Sequence, residues 1–230
     1  MSAPKKMPNK TRDEILGAIR ARTASRSNAE SVAARLAAHA PGPLPARARV
    51  GRDERIALFI AMAEAVSASV ARLAAMNAAP EAIAGWLAEN NLPAEAAIAP
   101  DPMLESLPWD RAPMLALRPG PARGSDAVGI TGAFAGIAET GTLMLLSGPD
   151  HPSTLNFLPD THIVVLAAAR IVGTYEDGFA RMRARGAMPR TVNFVTGPSR
   201  TADIEQTIQL GAHGPRRLHI LVVDDPDAEG

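Results

Sequence analysis

The stretch "GIAETGT", residues 136–142, sets one carboxylate, Glu139, among glycines and threonine hydroxyls, directly before the apolar run "LMLL" at 143–146. A carboxylate at the mouth of an apolar strand is costly to bury unless a partner or a reaction compensates it. Glu139 is therefore a candidate catalytic residue. Its chemistry could be that of a general base, a covalent carboxylate nucleophile or an acceptor for a substrate hydroxyl. The structural alternative is that it caps the N–H groups of a local turn. Around it, Gly132, Gly136 and Gly141 permit positive φ and close backbone approach. Thr131, Thr140 and Thr142 supply hydroxyls that a ligand could use. The spacing fits neither the dinucleotide fingerprint nor a P-loop.

A second group lies in "TGPSRTADIEQTIQLGAHGP", residues 196–215. The pattern predicts a strand ending near Thr196, a turn at Gly197 and Pro198, and a helix opened by Ser199, Arg200 and Thr201. Free helix-terminal N–H groups, two hydroxyls and a guanidinium suit a phosphate or a carboxylate. Asp203 and Glu205 would already satisfy the dipole of such a helix. They could pair with Arg200 or bind a polyol; an ordinary capped helix with a surface Arg–Asp pair is the other reading. His162, at a strand start, and His213, in a Gly-rich turn, are further candidates for ligand contact, each weighed against a structural role. No His, Asp or Glu set has metal-ligand spacing, so no metal site is expected.

Absences narrow the chemistry. The chain of 230 residues has no cysteine, which excludes disulfides, thiol nucleophiles and a cysteine-ligated iron–sulfur cluster in this chain. Its only lysines are Lys5, Lys6 and Lys10, which removes a phosphate-binding or Schiff-base lysine from the body. Anion handling is left to arginine and backbone N–H groups. Net charge is zero, yet residues 1–50 carry ten basic side chains against three acidic, and the remainder fourteen against twenty-one. The basic segment could meet an acidic partner surface or a phosphate backbone. Without interleaved aromatics a nucleic-acid role is not expected. With no apolar leader and no run near the ~20 residues that span a bilayer, the expected location is the cytoplasm, away from any membrane.

The elements that must position these residues change character along the chain. Alanine-rich helical patterns are predicted near 11–22, 27–40, 53–76 and 81–89, with "PGPLP" at 41–45 as a connecting loop. From about 95, short apolar runs alternate with Gly/Pro-bounded loops: 96–99, 114–117, 127–131, 142–147, 162–168, 191–196 and 218–223. Runs apolar on both faces, with helices between the later ones at 152–158, 175–185 and 201–210, indicate an α/β fold with a mostly parallel sheet and flanking helices. The expected division is a helical N-terminal region, 1–94, packing on a sheet domain, 95–230. In such sheets ligands sit beyond the carboxyl ends of the strands.

Residues 125–223 also carry a resemblance. "GIAETGTLMLLSGPDHPSTLNFLPDTHIVVLAAARIV" together with "GPSRTADIE" and "GAHGP" resembles the lactate-utilisation protein C, or LUD-domain, family. The resemblance implies a NagB/RpiA/CoA-transferase-like fold with a helical N-terminal extension. It implies an accessory subunit of a bacterial system that oxidises L-lactate to pyruvate, with iron–sulfur clusters only in partner subunits and no cofactor in this chain. The subunit would bind a small anionic or nucleotide-like ligand between the 131–142 and 199–203 loops. A stand-alone enzyme acting on a sugar phosphate or acyl-CoA through Glu139 is the alternative. That extension rests on the behaviour of glutamates in CoA-transferase-like folds.

Overall fold

A computed structural model describes residues 12–23, 29–40, 42–201 and 209–224. Helix α1, Arg12–Thr23, has Asp13 and Glu14 in its first turn and Arg20 and Arg22 in its last, an order that matches the helix dipole. Helix α2 spans Ala29–Ala38. These belong to the segment before Leu44, and the chain from Leu44 onward forms its own compact unit.

That unit opens with α3, Arg52–Ala65, then strand β1, Ser69–Leu73, and α4, Ala79–Glu89. Next come β2, Glu95–Ile98, the short α5, Pro102–Glu105, and β3, Ala116–Pro119. Strands β4, Val128–Gly132, β5, Ala135–Ile137, and β6, Thr142–Leu146, hold the glycine-rich stretch. They are followed by β7, Thr161–Ala167, β8, Ile171–Val172, α6, Tyr175–Ala184, and β9, Val192–Val195. The pair β10, Arg200–Thr201, and β11, Gln209–Leu210, precedes the last strand, β12, Arg217–Val223.

Six strands form one sheet in the order β1-β12-β7-β4-β2-β3, every neighbouring pair parallel. Its centre is β7, buried along its whole length, which explains the uninterrupted apolar run of that segment. A second sheet, β8-β5-β6-β9, is mixed: β5 and β6 form a hairpin about 139–141, and β9 runs antiparallel to β6.

Alternation along the strands separates two cores. Ile163, Val165, Leu221 and Val223 face α4 and α5, with Ile83, Leu87 and Leu104. Val164, Leu166, Ile220 and Val222 face α3 and the second sheet, meeting Phe59, Ile56 and Leu143. Met182 of α6 covers the outer side of the second sheet with Met144 and Leu146. Among the described residues no helix is long and apolar enough to cross a membrane.

Three expectations are corrected. The helix predicted over 53–76 stops at Ala65; Ser67 takes φ 70°, and Ser69–Leu73 joins the sheet beside β12. The sheet therefore begins at 69 rather than 95, and the division drawn at 94/95 falls inside one compact unit. The helix expected to open at Ser199 does not form there. Arg200 and Thr201 are extended and pair with Leu210 and Gln209, while 202–208, including Asp203 and Glu205, lie outside the described residues.

Candidate functional site

The sequence-selected residues fall into three places. Glu139, Thr140, Gly141 and Thr142 form the tip and first residue of the β5–β6 hairpin. Glu139 is 7% exposed, and its Oε1 accepts the backbone N–H of Tyr175 at 2.9 Å. It thus takes up one of the free donors at the start of α6, a helix 36 residues away rather than the local turn of the structural alternative. Gly141 has φ 66°, and a Cβ there would lie 2.2 Å from the Ala63 backbone nitrogen, so the hairpin tip is pressed directly on α3. The Thr142 hydroxyl, fully buried, meets those of Thr140 at 2.7 Å, Tyr175 at 3.0 Å and Thr196 at 2.7 Å. Glu139 lines neither of the cavities described below.

The second place is a cavity of about 250 Å³ at the amino ends of β7 and β12. It gathers His162, Ser199, Arg200 and His213, four of the sequence candidates, together with Asn156 and Thr196. Thr196 ties its wall to the hairpin through Thr142. The 197–200 turn rests on the end of α3: Gly197, at φ 77°, has no room for a Cβ beside the Val66 carbonyl, and Arg200 Nη2 donates to that same oxygen at 2.8 Å. A side-chain cation on a helix-terminal carbonyl is a favourable placement. Ser199 is held on both sides, its N–H donating to Pro215 O at 2.8 Å and its Oγ accepting the His213 N–H at 3.2 Å.

His162 is the unusual member. It is wholly buried, and Nε2 shares a hydrogen bond with Thr131 Oγ1 at 2.8 Å, which is where Thr131 enters the site. Its Nδ1 has no partner although it is buried. Burial pushes the imidazole pKa down to about 3, so the ring is neutral at physiological pH. An unpaired buried ring nitrogen is costly in a protein interior. If the Thr131 hydroxyl donates to Nε2, the proton sits on Nδ1 and is free to donate to an acceptor in the cavity. Asn156, 5% exposed, also reaches this cavity, and its side chain makes no hydrogen bond among the described residues.

The third place lies at the opposite, carboxyl ends of the strands, where the parallel-sheet rule directs attention. There Gly132, the last residue of β4, borders a larger cavity of about 330 Å³ with Phe134, His151 and three arginines, Arg170, Arg181 and Arg185. The four candidates at the amino-end cavity therefore sit at the end that the rule does not favour, and of the candidates only Gly132 borders the carboxyl-end one. Thr201 joins neither lining; its backbone belongs to the β10–β11 pair.

Sequence reasoning missed Asn156, Thr196 and the arginine trio. Thr196 closes a recognisable strand. The arginines lie 11 and 4 positions apart with no local motif, and only the folding of α6 over the second sheet assembles them. Among the described residues no set of three or more His, Asp or Glu side chains could hold a metal ion.

Residues 124–223 match the family model described as the LUD domain. Over 96 residues the chain is 41% identical to an uncharacterized protein of Neisseria meningitidis serogroup B, a match covering 41% of each chain. It is 38% identical over 102 residues to lactate utilization protein C of a Geobacillus species, covering 43% of this chain and 42% of that one. The corresponding protein of Anoxybacillus flavithermus is 35% identical over 98 residues, covering 43% and 44%. The match thus spans about two-fifths of the length of these curated relatives. The fold is also similar to the crystal structure of a DUF162 family protein from Deinococcus radiodurans, with a TM-score of 0.56 and 26% identity over 76% of this chain and 99% of that one. The segment that matches the LUD-domain model, residues 124–223, supplies every residue lining the two cavities.

Proposed function

We propose that this chain is an accessory subunit of an L-lactate utilisation system and that it binds a small anionic or nucleotide-like ligand in the amino-end cavity. One observation carries the reading. The segment similar to proteins named lactate utilization protein C is the segment that builds a cavity bordered by His162, whose buried Nδ1 has no partner. In the reading, His162 Nδ1, the Ser199 hydroxyl and the Arg200 guanidinium face one ligand. An anion would select the tautomer with the proton on Nδ1, since that nitrogen then donates. The Thr131 hydroxyl would hold this tautomer by donating to Nε2. Arg200, already fixed on Val66 O, keeps its remaining donors for a carboxylate or phosphate.

Redox chemistry is assigned to cytoplasmic partner subunits with iron–sulfur clusters, because the chain has no cysteine with which to ligate one. Glu139 is given the role of positioning α6 and the cavity wall, not that of a nucleophile, since its carboxylate is engaged by the Tyr175 amide.

Two measurements test the two halves separately. Affinity purification of the tagged chain from lactate-grown cells should recover iron–sulfur proteins, and deletion should slow growth on L-lactate; recovery alone with unchanged growth removes the subunit assignment. Nitrogen-15 NMR of the His162 ring should show its Nδ1 resonance moving on titration with L-lactate, pyruvate or AMP. A ring that responds to none of the three removes the ligand assignment.

A further inference from the structure

The carboxyl-end cavity gathers three cationic side chains. Arg170 follows β7, Arg181 lies on α6 and Arg185 directly follows its last residue, and all three border the same space. Among the described residues no carboxylate oxygen lies within 4 Å of any of their guanidinium nitrogens. The nearby acid, Asp101, stands behind Gly132 and His151 at the edge of this space: Oδ1 caps α5 by accepting the Met103 N–H at 2.9 Å, and Oδ2 faces His151 Nδ1 at 3.7 Å. Asp101 itself does not line the cavity.

The guanidinium groups are also held in place. Arg170 Nη1 donates to Ala133 O at 3.0 Å and Arg181 Nη1 to Ala169 O at 3.4 Å. Arg181 and Arg185 both lie over the Phe134 ring, at 5.8 and 5.5 Å from its centroid. Burial, and after it the charge of Arg170, push the Arg181 pKa down, as expected of like charges gathered together. Three cations held near one another by carbonyls and a ring face, with no acid among the described residues between them, are stabilised by an anion that enters.

We infer that this cavity is a second binding site, separate from the amino-end cavity, and that it takes the phosphoryl group of a small phosphorylated ligand. Three guanidiniums from two elements suit an oxyanion with more than two acceptor oxygens, directed tetrahedrally, better than a planar carboxylate with two. Leu146 and the Phe134 ring give the remaining part of such a ligand an apolar wall. The inference does not depend on the lactate-system reading, because none of these residues borders the amino-end cavity.

Calorimetric titration of the full chain with pyrophosphate tests it. Saturable binding with one site is expected, weakened at least tenfold in Arg185→Ala and in Arg170→Ala, and unaltered in Arg111→Ala, an exposed arginine elsewhere that removes the same charge. Because Arg185 is exposed, its variant should fold even if Arg170→Ala does not. No saturable binding, or equal weakening by Arg111→Ala, overturns the site. Citrate binding tighter than pyrophosphate overturns the phosphoryl assignment. The His162 ring resonance should stay fixed while pyrophosphate binds; its movement would mean that the two cavities are one site.

Discussion

Glu139 reaches 36 residues along the chain to accept the Tyr175 N–H at 2.9 Å, joining the tip of the β5–β6 hairpin to the first turn of α6. The same helix has a local capping box in which Thr174 and Asp177 satisfy each other's backbone. A remote cap and a local one therefore share the work of starting α6, and only the remote one fixes the helix on the hairpin. Glu139→Ala should lower stability by about 0.5–2 kcal/mol, the range for a lost cap. Glu139→Gln keeps an acceptor oxygen and loses only the charge–dipole part, about 0.3–1 kcal/mol. Urea midpoints give both values; an unchanged midpoint in the alanine variant would show that the cap contributes nothing.

Two buried histidines make the fold acid-sensitive. Burial pushes His162 to about 3 and His219, stacked on Trp86 at 4.3 Å, to about 4. Both pKa values are depressed, so the folded chain keeps the rings neutral while the unfolded chain protonates them near 6.5. Stability is complete above about pH 6.5 and falls as pH drops, since the unfolded state then binds more protons. Between about pH 6 and 4 each site should contribute a slope of about 1.4 kcal/mol per pH unit. His162→Gln and His219→Gln should each flatten the denaturation-derived stability profile in that window. Parallel profiles for wild type and variants would show that neither ring stays neutral in the fold.

The strands at 161–167 and 217–223 were legible because central strands of a parallel sheet are apolar on both faces, and 142–146 because this inner strand of the mixed sheet is covered on both sides as well. Strand β1 was not. Its apolar residues continue the three-and-four spacing of α3, and the break depends on Ser67 adopting a left-handed conformation at a residue that carries no signal for it. Ser199 and Arg200 were singled out for their chemistry but given the wrong backbone. Local preference favours a helix start at Ser-Arg-Thr, whereas pairing with Gln209 and Leu210 makes 200–201 a strand. The arginine trio could not be read at all, because nothing local brings Arg170 to Arg181; the packing of α6 on the second sheet does.

The hairpin tip tests how tightly the sheet and α3 are joined. At Gly141 an alanine would need a left-handed conformation and would drive its Cβ to 2.2 Å from the Ala63 nitrogen and 2.5 Å from the Met62 carbonyl carbon. The conformational cost of about 1–2 kcal/mol adds to an overpacking cost of about 1–3 kcal/mol, since backbone atoms cannot step aside as a side chain can. Gly148→Ala meets nothing within 4 Å and serves as the comparison. Chemical denaturation should show a large loss for the first variant and little for the second. Similar midpoints for the two would mean that the tip does not rest on α3.

Thr142 and Thr196 close the ends of β6 and β9, which run antiparallel, and their hydroxyls meet at 2.7 Å. Thr196 borders the amino-end cavity, whereas Thr142 is buried beneath it and also meets Thr140 and Tyr175. Valine at either position preserves shape and removes the hydroxyl. Thr142→Val should cost about 1–3 kcal/mol, because one buried atom serves three partners, and Thr196→Val less, because its side is open to water. If the two act through their shared bond, the double variant should be more stable than the sum of the single losses predicts, by about 0.5–1.5 kcal/mol. A cycle that closes with no coupling would mean the hydroxyls are satisfied independently. The Glu139 hairpin would then be connected to the His162 cavity by backbone pairing alone.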